Sequence, residues 1–330
     1  MSEINNPQWA NLSDDRRQAF QRAVTVASAG TNLVQQYVNR IIQQLVIREF
    51  GALGTLDKRP GSGSQAIINR RTAAAMTPAN VWVNDTAALT ESTGTYNQVS
   101  FNYQTLATRG RVTRKIRATG RSYIDVLAEE MVHKLDDFNN ALEDALFVGD
   151  SAATAGQIDG MLTQVNAVAG QVVAQTTAAL GDALTLAKLD ETIDAVKGAG
   201  ARSDLVIYAS FQGARKLNAA LQAQQQFMNE TEIAAGFRVR TYDGIPIVVS
   251  TGMPDDLTWD GTNVTALSGA ATTALAVVNK RYLWVEELTP ATMMPLARDD
   301  SQFEQFDIFW DGAAVLGNTM GAALLAGIAV

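Results

Sequence analysis

Between Arg121 and Gly149 the chain reads RSYIDVLAEEMVHKLDDFNNALEDALFVG. Ile124, Leu127, Met131, Leu135, Phe138, Leu142 and Ala145 recur there at steps of three or four. That spacing lays one apolar stripe along an α-helix. Asp125, Glu129, Asp136, Asp137, Glu143 and Asp144 fall off the stripe. Gly149 supplies the stop, because glycine takes a left-handed C-cap at little cost. At 1.5 Å per residue the rod is roughly 40 Å long. That is long for a globular helix, and it predicts a beam supporting the segments before and after it.

The preceding segments need such support. Residues 13–48 read as two helices, the first capped by Ser13 with Asp14 and Asp15 in its first turn and broken at Gly30. The second, LVQQYVNRIIQQLVIREF, puts Leu33, Val34, Tyr37, Val38, Ile41, Ile42, Leu45 and Val46 on one broad face opposite glutamines. That face must be covered, either by this chain or by another subunit. From residue 51 the text changes. GALGTLDKRPGSGSQ reads as a loop, and AIINRR, NVWVND and YNQVSFNYQTLATRGRVTRKIRA lean towards strand, with alternation at Val99, Phe101 and Tyr103 and again at Val112 and Ile116. A ribbon of this kind is marginal by itself and its open edges invite pairing, so it is expected to lie on something large.

Charge suggests what that is. Lys58, Arg59, Arg70, Arg71, Arg109, Arg111, Arg114, Lys115 and Arg117 face only Asp57, Asp85 and Glu91 across this region. The rod has the opposite bias. The expectation is that Arg109, Arg111, Arg114, Lys115 and Arg117 of one copy meet Asp125, Glu129, Asp136, Asp137 and Glu143 of another. Each exposed pair is worth ~0–1 kcal/mol, but many copies sum them and they set register. Phosphate tracking by RGRVTRKIR is the alternative. The acidic rod already in the chain favours the neighbour.

Beyond the rod, QIDGML is a short apolar piece, and residues 164–183 are weakly patterned. Residues 184–289 read as a compact α/β unit: a helix through Leu186, Leu189, Ile193 and Val196, a buried strand Leu205–Tyr208, and a helix FQGARKLNAALQAQQQF capped by Ser210. Strands on either side of Asp243-Gly244 form a hairpin. A loop, TGMPDDLTWDGTN, follows, then strands Thr273–Asn279 and Tyr282–Leu288. QFEQFDIFWD alternates as a strand returning to the rod, and Gly312–Val330 carries no charge. Its glycines, Asn318 and Thr319 make it a buried final strand pair rather than a membrane segment.

Several chemistries are excluded. No cysteine is present, which removes disulfides and thiolate chemistry. The net charge of -8 argues against tight nucleic-acid binding by the whole surface. The start, MSEINNPQWANLSDDRRQAF, does not read as a signal peptide. The one histidine, His133, follows Glu130 as Glu-x-x-His and shares a helix face with Glu129 and Asp137, but a dinuclear site needs a second such motif. No dinucleotide or Walker loop occurs, and no triad assembles around a lone histidine. Neither a catalytic residue nor a cofactor or metal is expected.

With these elements in order, the chain resembles the major capsid proteins of tailed bacteriophages. The resemblance rests on RVTRKIRATGRSYID running into the rod, ALFVGDSAATAGQIDGML turning out of it, DLVIYASFQGARKLNAAL, YDGIPIVVS and FEQFDIFWDGAAV. It implies an α+β, HK97-like capsid fold divided into an N-terminal arm (1–50), an extended loop (51–120), a spine helix with peripheral domain (121–165), an axial domain (166–289), and a peripheral strand with C-terminal segment (290–330). It further implies a non-enzymatic protein that self-assembles as pentamers and hexamers into an icosahedral head around double-stranded DNA. That DNA would be contacted non-specifically, with scaffolding, portal and decoration proteins as further partners and no membrane. The location implied is the virion, after assembly in the host bacterial cytoplasm. An encapsulin-type nanocompartment holding a cargo enzyme is the alternative within the fold, and an α/β enzyme the alternative outside it. Some relatives cross-link a loop lysine to a neighbour's asparagine. Lys58 is the only lysine near the loop's start and no residue matches the asparagine or its glutamate base, so no cross-link is expected.

Overall fold

The structure is a computed structural model that describes residues 51–73, 82, 83, 85, 91, 93–120, 125–198, 203–223, 229–234, 237–267, 271–296 and 302–330. The two helices expected over residues 13–48, half of NVWVND, Arg121–Ile124 and the far end of the helix starting at Phe211 lie outside them. The described elements are α1 (Ala52–Thr55), β1 (Asp57–Pro60), β2 (Gln65–Ala73), β3 (Thr95–Asn102), β4 (Gln104–Thr113), α2 (Arg114–Gly120) and α3 (Val126–Val148). Then come α4 (Met161–Asn166), β5 (Val172–Ala174), α5 (Leu186–Gly198), β6 (Leu205–Ala209), α6 (Phe211–Ala223), β7 (Asn229–Ala234), β8 (Phe237–Tyr242) and β9 (Ile245–Val249). The chain closes with β10 (Leu257–Trp259), β11 (Val264–Leu267), β12 (Thr272–Asn279), β13 (Leu283–Pro295), β14 (Phe303–Leu316) and β15 (Ala322–Ala329).

The rod is α3. Asp125 caps it, its Oδ1 accepting from the amides of Leu127 and Ala128 at 3.2 and 3.4 Å. The stripe divides along its length. Phe138, Leu142 and Ala145 are buried, whereas Leu135 is 43% exposed. Gly149 ends the helix for a different reason from the one expected. Its φ of -51° is not left-handed. Instead, a Cβ there would lie 2.3 Å from the Ile158 carbonyl oxygen and 2.5 Å from that of Ala145, so glycine is required by close approach.

Two sheets hold the body. A four-stranded sheet has the order β1-β13-β14-β4, and a nine-stranded sheet runs β11-β10-β12-β6-β9-β8-β7, with β15 paired to β12 and β5. β2 and β3 form a separate two-stranded hairpin. β12 is buried at every position, the mark of a strand covered on both faces. On β6, Val206 and Tyr208 face a core beneath α3 with Phe147, Trp259 and Trp310. Leu205, Ile207 and Ala209 face a second core with Leu189 of α5 and Leu217 of α6. The β8–β9 turn is the expected one, with Asp243 and Gly244 at φ 49° and 73°.

The uncharged C-terminal stretch forms two buried strands as read, but they do not pair with each other. Beyond Gly312 the end of β14 pairs with β13, and β15 lies between β12 and β5. Other expectations need correction. The stretch read as a loop from Gly51 contains α1 and β1, the latter parallel to β13. TGMPDDLTWDGTN contains β10, because Leu257 and Trp259 are drawn into the core. RKIRATG is the helix α2, not ribbon. β4 leaves the hairpin and joins β14 in a ten-residue antiparallel register.

Candidate interaction surfaces

The five basic residues expected to face a neighbour divide into two groups. Arg109 on β4 forms a two-pronged ion pair with Asp307 on β14, at 2.7 and 2.8 Å, which the register Asp307↔Arg109 dictates. The guanidinium holds the Asp307 carboxyl below the usual carboxylate range. Arg117 on α2 pairs with Glu304. Both therefore have partners inside their own chain. Arg111 lies over the Phe303 ring, 3.6 Å from its centroid. Arg114 and Lys115 are exposed and make no ion pair among the described residues. Lys58 is 3.0 Å from Glu287 of its own chain.

The acidic residues divide more sharply. Asp125 is the exposed N-cap, Glu129 lies 3.9 Å from His133, and Asp137 is exposed. Asp136 is half-buried and already engaged. Glu143 is not on an acidic surface: it is 1% exposed. Its Oε1 accepts the Gly51 and Ala52 amides at 2.7 and 2.8 Å and the Ser250 hydroxyl at 2.7 Å, and its Oε2 accepts the Leu53 amide at 2.8 Å. This corrects its place among the contact residues. A carboxylate survives burial when its lone pairs are filled this way.

Exposed apolar side chains mark surfaces that the acidic and basic pattern missed. The β2–β3 hairpin is anchored at its base, where Ala66 packs with Ala313 and Val315 and Arg70 donates to the carbonyls of Leu316 and Gly317. Ile67, next to Ala66 on β2 and pointing to the opposite face, is 58% exposed, and further out Tyr96 is 68% exposed and Trp82 85%. The signal for Trp82 was present as a lone tryptophan in a polar arm. Val132 and Leu135 on α3 are exposed, as is Ile116 on α2, which packs against it. On β13, β1 covers only Trp284–Glu287. The edge beyond has no strand partner among the described residues and carries exposed Leu288, Met293 and Met294.

Among the described residues no group of three or more His, Asp or Glu side chains is placed to hold a metal ion. No described helix is long and apolar enough to cross a membrane. A concavity of about 840 Å³ lies between the C-terminal half of α3, the loop Asp150–Gln157 and the segment Thr251–Leu257. Its charged lining is Asp144, Asp150 and Asp256.

The model of the family described as SU10 major capsid protein matches residues 25–329. No curated protein matches the chain. Among solved structures, the capsid of a native GTA particle is 18% identical, with a TM-score of 0.70 over 92% of this chain and 98% of that one. The holo-SrpI encapsulin complex from Synechococcus elongatus PCC 7942 is 13% identical, with a TM-score of 0.67 over 92% and 96%. The capsid asymmetric unit of cyanophage A-1(L) is 14% identical, with a TM-score of 0.68 over 90% and 98%.

Proposed function

The chain belongs to the SU10 major capsid protein family, has the α+β, HK97-like fold and is a structural protein of a capsid shell; from that premise we propose that it is the repeating subunit of an icosahedral phage head enclosing double-stranded DNA. The observation that carries the reading is the hairpin arm, whose Trp82, Tyr96 and Ile67 a lone soluble subunit leaves in water. Large apolar side chains left exposed along one arm fit an interaction surface, and closed symmetry would cover every copy of it.

In this reading copies gather as pentamers and hexamers, with 166–289 nearest the symmetry axes and 51–120 overlapping a neighbour. Residues 1–50 form an arm, 121–165 carry the spine, and 290–330 complete the peripheral sheet. Arg111, Arg114 and Lys115 of one copy meet Asp125, Glu129 and Asp137 of the next. Arg109, Arg117 and Glu143 instead hold the subunit together. The acidic balance lets an inner wall confine DNA without adhering to it. Assembly takes place in the host bacterial cytoplasm, with separate scaffolding, portal and decoration proteins as candidate partners. The contribution is geometric rather than catalytic.

An encapsulin shell around a cargo enzyme is a second reading, supported by the likeness to the encapsulin complex. Negative-stain microscopy of the expressed chain decides. Closed particles are expected, and a monodisperse monomer at every concentration would overturn the proposal. Empty particles that capture a co-expressed enzyme through its C-terminal peptide would favour the second reading.

A further inference from the structure

Among the described residues β2 and β3 pair only with each other, so no backbone ladder joins the hairpin to either body sheet. Side chains therefore decide the angle at which it leaves the body. At its root β3 passes into β4 through Tyr103 alone, and β2 follows the glycine- and serine-built link 61–64, with Gly63 at φ 78°. Such a link is compliant. Tyr103, whose hydroxyl donates to Glu286 Oε1, is thus the pivot.

Alternation puts Ala66, Ile68 and Arg70 on the face of β2 towards the body. Ala66 and Ile68 meet it by apolar packing around Ala313 and Val315. Contact of that kind is non-directional and lets the hairpin slide. Arg70 differs. Its Nε donates to the Gly317 carbonyl at 2.9 Å and its Nη2 to the Leu316 carbonyl, two directed bonds from one planar group. Arg70 stands opposite Asn97, six residues from Tyr103. At about 3.4 Å per residue those bonds act roughly 20 Å from the pivot. Thr72, next on the same face, is exposed.

The two carbonyls are themselves held. The Leu316 amide donates to Gln164 Oε1 at 3.1 Å, and Gln164 Nε2 donates to the Ala314 carbonyl at 2.9 Å. The Gly317 amide donates to the Tyr282 carbonyl at 2.7 Å. This turn carries the chain from β14 in one sheet to β15 in the other. Both acceptors are neutral. Arg70 makes no ion pair among the described residues, and burial lowers its pKa from the ordinary value.

We infer that Arg70 is the positioning residue of the arm: it latches the hairpin to the turn between the two sheets and sets the arm's angle before a neighbour is met. The inference concerns the unassembled subunit and stands whichever shell that subunit enters.

The absence of cysteine makes the test clean. Spin labels on T95C, at the exposed outer end of β3, and on A167C, exposed at the end of α4, report the spread of arm positions by pulsed electron resonance. The otherwise wild-type chain is expected to give a narrow distance distribution at low and high salt alike. R70A should widen it at least about two-fold while α3 and β12 keep their amide protection, because only a local contact is lost. Guanidinium ion added to R70A should narrow it again, and sodium at the same concentration should not. R70K, which reaches one carbonyl but not both, should fall between. An R70A distribution as narrow as wild type would overturn the inference, as would widening of the wild-type distribution by salt. Lost protection across α3 and β12 in R70A would count equally against it, by making Arg70 a general stabiliser. Should R70A fail to fold, wild-type width in R70K overturns the inference in its place.

Discussion

The Glu143 carboxylate accepts the Gly51 amide at 2.7 Å, although the two residues are 92 apart in sequence. With the Ser250 hydroxyl on the same oxygen, one side chain ties the root of the arm, the long helix and the end of β9. Glu143→Ala removes the acceptor of three backbone donors, two of them buried, and each buried loss costs about 1–3 kcal/mol. The expected destabilisation is about 3–5 kcal/mol in urea unfolding of the soluble subunit, with Glu143→Gln roughly half as severe. A change below about 0.5 kcal/mol in the alanine variant would show that the junction does not matter.

That junction explains what the sequence alone did not yield. Glu143 falls off the apolar stripe among five other acids, so periodicity assigned it to a wet face, and its partners are distant in the chain. The same limit hid α2. RKIRATG has no periodicity against the alternating residues before it, and α2 appears only where the chain turns off β4 towards α3. The readings that succeeded were local. The Asp243-Gly244 turn, the Ser210 cap on the Gly213 amide at 2.9 Å, and the alternation through Phe306, Ile308 and Trp310 need no distant partner to be recognised. The basic stretch was legible as charge but not as pairing, because Asp307 and Glu304 come to it only when β14 lies against β4.

Gly110 stands opposite Phe306 in that register. A Cβ at Gly110 would be 2.0 Å from the ring, so Gly110→Ala forces the phenyl out of its place. The expected cost is about 1–3 kcal/mol, typical of an overfilled core. Phe306→Leu in the same chain should recover part of it. Strict additivity of the two changes in thermal unfolding would refute direct contact.

Tyr103 gives a test at alkaline pH. Burial first, then its hydrogen bond to Glu286 Oε1 at 2.5 Å, pushes the phenol up to about 12. A group whose folded pKa is raised stabilises fully below its unfolded value, and loses that contribution as pH rises through the folded one. For Tyr103 the window is from about 10 to about 12. Glu286→Gln should lower the titration midpoint read from tyrosinate absorbance, with Tyr103→Phe identifying the signal. An unmoved midpoint would mean that burial alone sets it.

Arg114 and Lys115 are expected basic contact residues that have neither an ion pair nor a ring contact among the described residues. Reversing both to glutamate should leave the subunit folded and slow particle formation, because charge on an interface rim acts through encounter rate and register. Raising salt should slow the wild type and narrow the gap between the two, since exposed pairs are screened over about 8–10 Å. Equal assembly rates at low salt, followed by light scattering, would remove these residues from the contact.

Trp82 provides the most direct test of incompleteness. At 85% exposure it contributes almost nothing to the isolated subunit, so Trp82→Ala should leave the unfolding midpoint within about 0.5 kcal/mol of wild type. Its effect should appear only between copies. A tryptophan that fills a neighbour's surface is worth about 2 kcal/mol or more, which weakens each contact roughly thirty-fold. The threshold concentration for closed particles should rise at least that much, because a shell repeats the contact in every subunit. Sedimentation across a dilution series measures the threshold directly. A variant that assembles at the wild-type threshold would mean that the arm points into solvent in the particle as well, and the case for its overlap with a neighbour would fail.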